Sequence, residues 1–167
     1  MSTEAWLEGP IEGVDPILMP IAQALVQVGR DVERLAELAP ETVWARPGGA
    51  ASVGFHLKHV VGVLDRLLTY ARGQTLTAEQ QAALRAEGEP GDPPKDAVAL
   101  VAEARAALER ALAQVRATPR EALLEPRGVG RKQLPSTVLG LLHHAAEHAV
   151  RHAGQALTTA RILRGAP

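Results

Sequence analysis

Residues 136–163 have the sequence STVLGLLHHAAEHAVRHAGQALTTARIL. The apolar positions recur at steps of three and four residues, the spacing that places side chains on one face of an α-helix. This face carries Val138, Leu141, Ala145, His148, His152 and Leu163. We therefore predict a helix that starts near Ser136 and ends near Leu163, with two histidines at positions where leucine would be the ordinary choice.

Three further segments have the same helical periodicity. Apolar seams run through residues 18–35, 53–71 and 101–115. Helices with one apolar face each bury these faces against one another, so we predict an all-α fold, a four-helix bundle. A capping box at residues 77–80 predicts a short extra helix between helices 2 and 3, which stops by Gly88.

The connectors contain residues that can start helices. Ser52 is a suitable N-cap for the second helix, and Asp92 with Pro93 would form the N-cap and first residue of the third. Residues 118–135 have no sustained helical period, so we predict a long loop there and expect it to form a lid or wall of a functional site. Gly154 in the fourth helix is predicted to allow close packing of a neighbouring helix.

Composition and charge exclude several classes of protein. One domain is expected over residues 1–167, and 2% aromatic content is poor for an all-β fold. The net charge of −1 includes no basic block, which argues against nucleic-acid binding. The absence of cysteine excludes disulfides, thiolate metal sites and cysteine nucleophiles. Because the start, MSTEAWLEGP, does not resemble a signal peptide and no apolar run is long enough for a membrane span, we expect a soluble cytoplasmic protein without a membrane partner.

The six histidines fall in two clusters. They are His56 and His59 on the second helix, and His143, His144, His148 and His152 on the fourth. His148 and His152 are four residues apart, so their Cβ atoms lie about 6 Å apart on one helix face, a separation that suits two imidazoles on one metal ion. Unpaired imidazoles are costly to bury in a bundle, and a divalent ion supplies the missing partner. His56 or His59 would provide the third ligand, and the helical spacing does not choose between them.

Other catalytic motifs are incomplete. Residues 144–148 match H-x-x-E-H, the inverted zinc-peptidase pattern, but no aspartate or glutamate follows Glu147 to complete that site. No Gly-x-Ser-x-Gly elbow is present, which argues against a serine hydrolase. Residues 128–130 lack the remaining glycines of a dinucleotide-binding loop.

Two stretches resemble the DinB/YfiT-like family. Residues 46–59, RPGGAASVGFHLKH, are similar to the start of that family's second helix. Residues 144–155, HAAEHAVRHAGQ, are similar to its fourth-helix motif, a histidine pair followed by Gly-Gln. The resemblance implies a four-helix bundle, often a homodimer, that holds one divalent metal ion with three histidines.

The resemblance also assigns the ligands by position. They are His59, His148 and His152. Ala153 departs from the family, which commonly has arginine or histidine there, and this departure leaves the three ligands intact. The activities known in the family include metal-dependent transfer and isomerisation with low-molecular-weight thiols.

Several side chains near the ligands are candidates to flank or orient them. They are His56, His144, Glu147, Arg151 and Gln155. His143 points away from the seam and is expected to be solvated. Asp65 and Arg66 on the second helix are predicted to be surface charges.

The histidines predict a divalent-metal-dependent enzyme that acts on a small molecule, and the family resemblance implies a thiol-dependent transferase, isomerase or hydrolase. Three nitrogen ligands leave positions open for water or substrate, as in catalytic sites. The alternative is a non-catalytic bundle in which the metal, or a metal-free histidine cluster, stabilises the fold or mediates association. In a closed metal site of this kind, His56 or His144 would complete the ligand shell. Zinc, nickel and iron suit imidazole ligands almost equally, so the metal is not identified. The sequence assigns no catalytic or substrate-binding residue.

Overall fold

The computed structural model describes residues 3–165, which are mainly helical. The four long helices are α1 (Met19–Glu33), α3 (Val53–Ala71), α5 (Ala97–Ala117) and α6 (Val138–Leu163). The two short helices are α2 (Pro40–Val43) and α4 (Ala78–Arg85). Helices α1 and α3 each pack against both α5 and α6. This arrangement confirms the predicted four-helix bundle, and α4 is the predicted extra helix.

Four helices, α3, α4, α5 and α6, begin at residues whose side chains supply a capping oxygen. Ser52 Oγ accepts a hydrogen bond from the backbone N–H three residues later (3.1 Å), as predicted for the start of α3. Thr77 and Gln80 form the predicted capping box of α4. The cap of α6 is Thr137, whose Oγ1 accepts a hydrogen bond from the N–H of Gly140 (3.0 Å).

Helix α5 begins later than predicted. Its N-cap is Asp96, whose Oδ1 accepts a hydrogen bond from the N–H of Ala99 at 2.8 Å, and the prediction of Asp92 as the cap is wrong. Pro93 is a poor first residue because it precedes Pro94, and a residue before proline is disfavoured in the helical conformation. The chain therefore makes a turn over this part before the helix starts.

The stretch predicted as a long loop contains an antiparallel hairpin. Strand β1 (Pro126–Val129) pairs with β2 (Leu134–Thr137), with Pro126 opposite Thr137. Left-handed backbone at Gly130 (φ 67°) and Gln133 (φ 47°) closes the turn between them. Strands of four residues are too short for an alternating pattern to identify them, so the sequence did not predict this hairpin.

The hairpin packs at the end of α3 that is far from His59. Arg127 Nε donates a hydrogen bond to the carbonyl of Ala71, the last residue of α3 (2.8 Å). At 1.5 Å per residue, Ala71 lies about 18 Å along the helix from His59. The hairpin, which the structure describes in full, therefore does not form the expected wall of the histidine cluster.

The core consists of apolar side chains from all four long helices. On α6 it includes the small residues Ala149, Ala153 and Ala156, which let the neighbouring helices approach closely. Gly154 faces outward, with no atom of the described chain within 4 Å of where a Cβ would stand, so its predicted role in helix packing is wrong. Over residues 3–165, no helix has both the length and the apolar composition that a membrane span requires.

Candidate metal centre

Three histidines from two adjacent helices converge between α3 and α6. His59 extends from α3, while His148 and His152 extend from α6, and one ring nitrogen of each lies within 4.8 Å of the others. The Nε2 atoms of His59 and His148 are 2.9 Å apart. The ring centre of His152 is 4.3 Å from that of His59 and 4.7 Å from that of His148. The structure thus brings together the three residues predicted as metal ligands.

The spacing and chemistry of this three-histidine group fit one divalent ion. Two nitrogens that are each about 2.0–2.1 Å from one ion lie about 2.9–3.4 Å apart at common ligand angles. The 2.9 Å separation between His59 and His148 falls within that range. All three donors are imidazole nitrogens, which suit zinc, nickel and iron alike. The three residues are neither fully buried nor fully exposed, so the group is reached from solvent as well as supported by the core.

Burial favours the neutral form of the imidazoles in this group. Desolvation, followed by repulsion from the neighbouring histidines, lowers the pKa of His152 to about 4. Desolvation also lowers the pKa of His148, with a further contribution from His59. A neutral imidazole keeps the lone pair that a metal ion requires. At neutral pH these two side chains are therefore in the protonation state that binds metal.

Glu87 contacts the three-histidine group, and the sequence analysis did not identify it as a candidate site residue. One carboxylate oxygen, Oε2, lies 2.7 Å from His59 Nδ1, and the other, Oε1, lies 2.5 Å from Arg66 Nη1. Burial raises the pKa of Glu87, but hydrogen bonds from His59 and Arg66 outweigh it and hold the pKa below its usual value. A carboxylate that holds the outer nitrogen of a histidine ligand is typical of metal sites.

No pattern in the sequence marks this contact. Glu87 is 28 residues from His59 and follows α4 in a connector without periodicity. The predicted surface position of Arg66 is wrong, because its side chain pairs with Glu87 and is only 11% exposed. Asp65 is exposed, as predicted.

His56 lies beside the three-histidine group. It is buried, and its Nδ1 is 2.9 Å from Nδ1 of His152. Phe55 packs on both histidines of α3, with its ring stacked on His59 (5.4 Å between centres) and edge-on to His56. The position of His56 agrees with the predicted flanking role, and His59 is the member of the group that α3 provides.

Three other predicted flanking residues lie on the exposed side of α6. His144 Nδ1 is 3.3 Å from a carboxylate oxygen of Glu147, which also pairs with Arg151. Their side chains are between 41% and 51% exposed. His144, Glu147 and His148 also lie close enough together to hold an ion. Because exposed acidic groups often lie together without an ion, this second group is the weaker candidate.

The last predicted flanking residue, Gln155, makes no polar contact with the three-histidine group. It is exposed, and within residues 3–165 it makes no hydrogen bond to a histidine. His143 is exposed, as predicted.

The Nδ1 atom of His148 is buried, and no described residue forms a hydrogen bond with it. The polar contact of this ring is therefore at Nε2, the nitrogen that faces His59.

Comparison with known proteins agrees with this fold. The sequence profile of the DinB superfamily matches residues 24–156. This range includes all six histidines and Glu87. No curated protein matches the chain. Since the matched range covers most of the chain and the structure is the helical bundle typical of the superfamily, the chain belongs to the DinB superfamily.

Proposed function

We propose that the chain binds one divalent metal ion through His59, His148 and His152 and uses it in catalysis on a small molecule. The observation that supports this proposal is the convergence of three imidazoles, with nitrogens within 4.8 Å of one another, between α3 and α6. Three protein nitrogens leave further positions on the ion open, which is the arrangement of catalytic rather than closed structural sites.

The chemistry would be divided between the ion and the chain. A bound ion supplies a Lewis acid that polarises a water, a thiol or a substrate oxygen. Glu87 holds Nδ1 of His59, and Phe55 stacks on the same ring, so both side chains restrict its orientation. Because the chain has no cysteine, a thiol-dependent transfer, isomerisation or hydrolysis would use a low-molecular-weight thiol from solution.

Elemental analysis of the protein purified without a histidine tag tests the metal site. We expect about one equivalent of metal per chain, lost in His59→Ala and in His148→Ala. The matched control is His143→Ala, which removes an exposed histidine from α6 and should keep the metal. A metal content near zero in the folded protein, not raised by added zinc or nickel, would refute the site.

A second candidate function is a non-catalytic metal site that stabilises the bundle. The observation that favours it is the 2.9 Å contact between His56 and His152, which places a fourth imidazole beside the group. Assays of the metal-loaded protein with low-molecular-weight thiols and electrophilic small molecules separate the two functions. Turnover that is lost in His148→Ala, with an unchanged circular dichroism spectrum, supports the enzyme. A cobalt-loaded protein with four nitrogen ligands and no turnover supports the structural site.

The homodimer implied by the family resemblance and the cytoplasmic location expected from the sequence stay predictions. Sedimentation equilibrium tests the first of them. A mass of two chains supports the homodimer, and a mass of one chain contradicts it.

A further inference from the structure

The segment between α3 and α5, residues 72–96, contacts the bundle through polar groups. It contains α4, in which no residue is buried. Gln80 Nε2 donates a hydrogen bond to Asp65 Oδ2 (2.8 Å), and Lys58 Nζ donates one to the carbonyl of Glu89 (2.6 Å). We name this segment the α4 strap.

Glu87 is the one buried residue of the α4 strap, which the structure describes throughout. Its carboxylate contacts His59 through one oxygen and Arg66 through the other. Gly62 lies about one turn of α3 from His59 and from Arg66. It leaves space for the Glu87 carboxylate, because a Cβ at this position would overlap Glu87 Oε1 and Arg66 Nη1. The otherwise exposed strap is thus docked through a carboxylate that contacts a candidate metal ligand.

The contact with Glu87 determines which nitrogen of His59 carries the proton. A carboxylate paired with Arg66 accepts hydrogen bonds and donates none, so Nδ1 of His59 is the donor. A neutral imidazole has a single N–H, so Nε2 keeps its lone pair. This Nε2 is the atom that lies 2.9 Å from Nε2 of His148. Glu87 therefore presents His59 in the tautomer that can bind metal through Nε2.

We propose that Glu87 is a positioning residue that links metal binding at the three-histidine group to docking of the α4 strap. This inference rests on the proposed metal site. With the strap docked, His59 offers a lone pair in a fixed orientation, and without it the ring loses the partner that fixes its tautomer. Because such a linkage is reciprocal, metal binding must favour the docked strap by the same factor.

The tautomer of His59 in the metal-free protein is the first test, read from long-range ¹H–¹⁵N correlation spectra. We expect the Nδ1–H form in the wild type and in Glu89→Gln, the matched control at an exposed carboxylate of the same strap. Glu87→Ala should give a mixture of both tautomers. In Glu87→Gln the single amide oxygen is needed by Arg66, so the amide N–H faces Nδ1 of His59 and should shift the ring toward the Nε2–H form. An unchanged tautomer in Glu87→Ala would overturn the proposal.

A double variant keeps this test decisive if Glu87→Ala does not fold. Glu87→Met combined with Arg66→Met replaces both charged partners by apolar side chains of similar length, so no unpaired charge is left buried. His59 still lacks its acceptor, and we expect the same mixture of tautomers. A purely Nδ1–H form of His59 in this folded variant would count against the proposal.

Hydrogen exchange of residues 78–89 during a zinc titration tests the linkage itself. Saturating zinc should slow exchange of these amides in the wild type and in Glu89→Gln, and leave it unchanged in the double variant.

The zinc affinity of the double variant, measured against a competing chelator, should be about 10–100-fold weaker than that of Glu89→Gln. Equal affinities, or zinc-dependent protection without Glu87, would overturn the linkage. A wild-type chain that binds neither zinc nor nickel refutes the metal site and the linkage with it, whereas the tautomer of His59 separately shows whether Glu87 positions this ring.

Discussion

His152 lies where burial, and then the neighbouring imidazoles, oppose its charged form, and its pKa is lowered to about 4. In the unfolded chain a histidine titrates near pH 6.5. As the pH falls from 7 to 5, the unfolded state therefore gains a proton at this position that the folded state does not, and stability decreases. With an allowance for solvent screening, we expect His152 to lower the free energy of unfolding by about 1 kcal/mol over this pH range. Urea unfolding of the metal-free protein at the two pH values measures this change.

Two variants isolate this contribution. His152→Gln should weaken the pH dependence, whereas His143→Gln, at an exposed position of the same helix, should leave it unchanged. Burial also lowers the pKa values of His56 and His148, so part of the acid sensitivity should persist in His152→Gln. The same pH dependence in the wild type and in His152→Gln would contradict the prediction.

Two glycines inside helices give predictions of opposite sign. A Cβ at Gly54 would lie 2.8 Å from ring atoms of Trp44, whose Nε1 donates a hydrogen bond to the carbonyl of Lys95 (2.8 Å). We expect Gly54→Ala to lower the free energy of unfolding by about 1–3 kcal/mol through overpacking. Apart from the backbone of its own helix and its chain neighbours, no described atom lies within 4 Å of a Cβ at Gly29. Gly29→Ala should therefore raise the free energy of unfolding by up to about 1 kcal/mol through helix propensity. Thermal unfolding measures both, and a change of the same sign in the two variants would refute the packing argument.

Helix α4 depends on its own capping box. Thr77 Oγ1 accepts a hydrogen bond from the N–H of Gln80 (3.2 Å), and Gln80 Oε1 accepts one from the N–H of Thr77 (2.9 Å). Because no residue of α4 is buried, little packing compensates for the loss of these bonds. Thr77→Ala should lower the free energy of local unfolding of α4 by about 1 kcal/mol. Amide exchange in α4 should then be about fivefold faster, while the Tm of the bundle stays unchanged. Thr75→Ala, at an exposed position before the helix, is the control. A lower Tm in Thr77→Ala would show that α4 unfolds together with the bundle.

The four long helices could be predicted from the sequence because each carries a regular apolar seam, and α4 could be predicted from its capping box. On α6 the seam determines which face is buried, and it places His148 and His152 on that face. Strands β1 and β2 have four residues each and no seam, so only their packing against α3 and α6 establishes them. Glu87 was missed for a related reason, since its contact with His59 joins a connector to a helix and depends on side-chain geometry alone.

The three-histidine group joins two helices of the bundle, so metal binding should stabilise the folded chain against heat. When the free ion is at about 100 times its Kd, an ion bound only by the folded state raises the free energy of unfolding by about 2.7 kcal/mol. For a chain of this length, that change raises the Tm by about 5–10 °C. Differential scanning calorimetry with zinc should show this rise, and a chelator should reverse it. His143→Ala should retain it, and His59→Ala should abolish it. An undiminished rise in His59→Ala would place the zinc at another site.

The contact between His59 and His148 spans 89 residues, and α6 is the last helix of the described chain. During synthesis from the N-terminus, α3 therefore leaves the ribosome well before its partner exists. The apolar core that joins the long helices offsets the entropy lost on closing so long a loop whether or not an ion is bound. Unlike a zinc finger, which is unfolded without its metal, this bundle is therefore expected to fold in the metal-free state and to bind an ion at the proposed site afterwards.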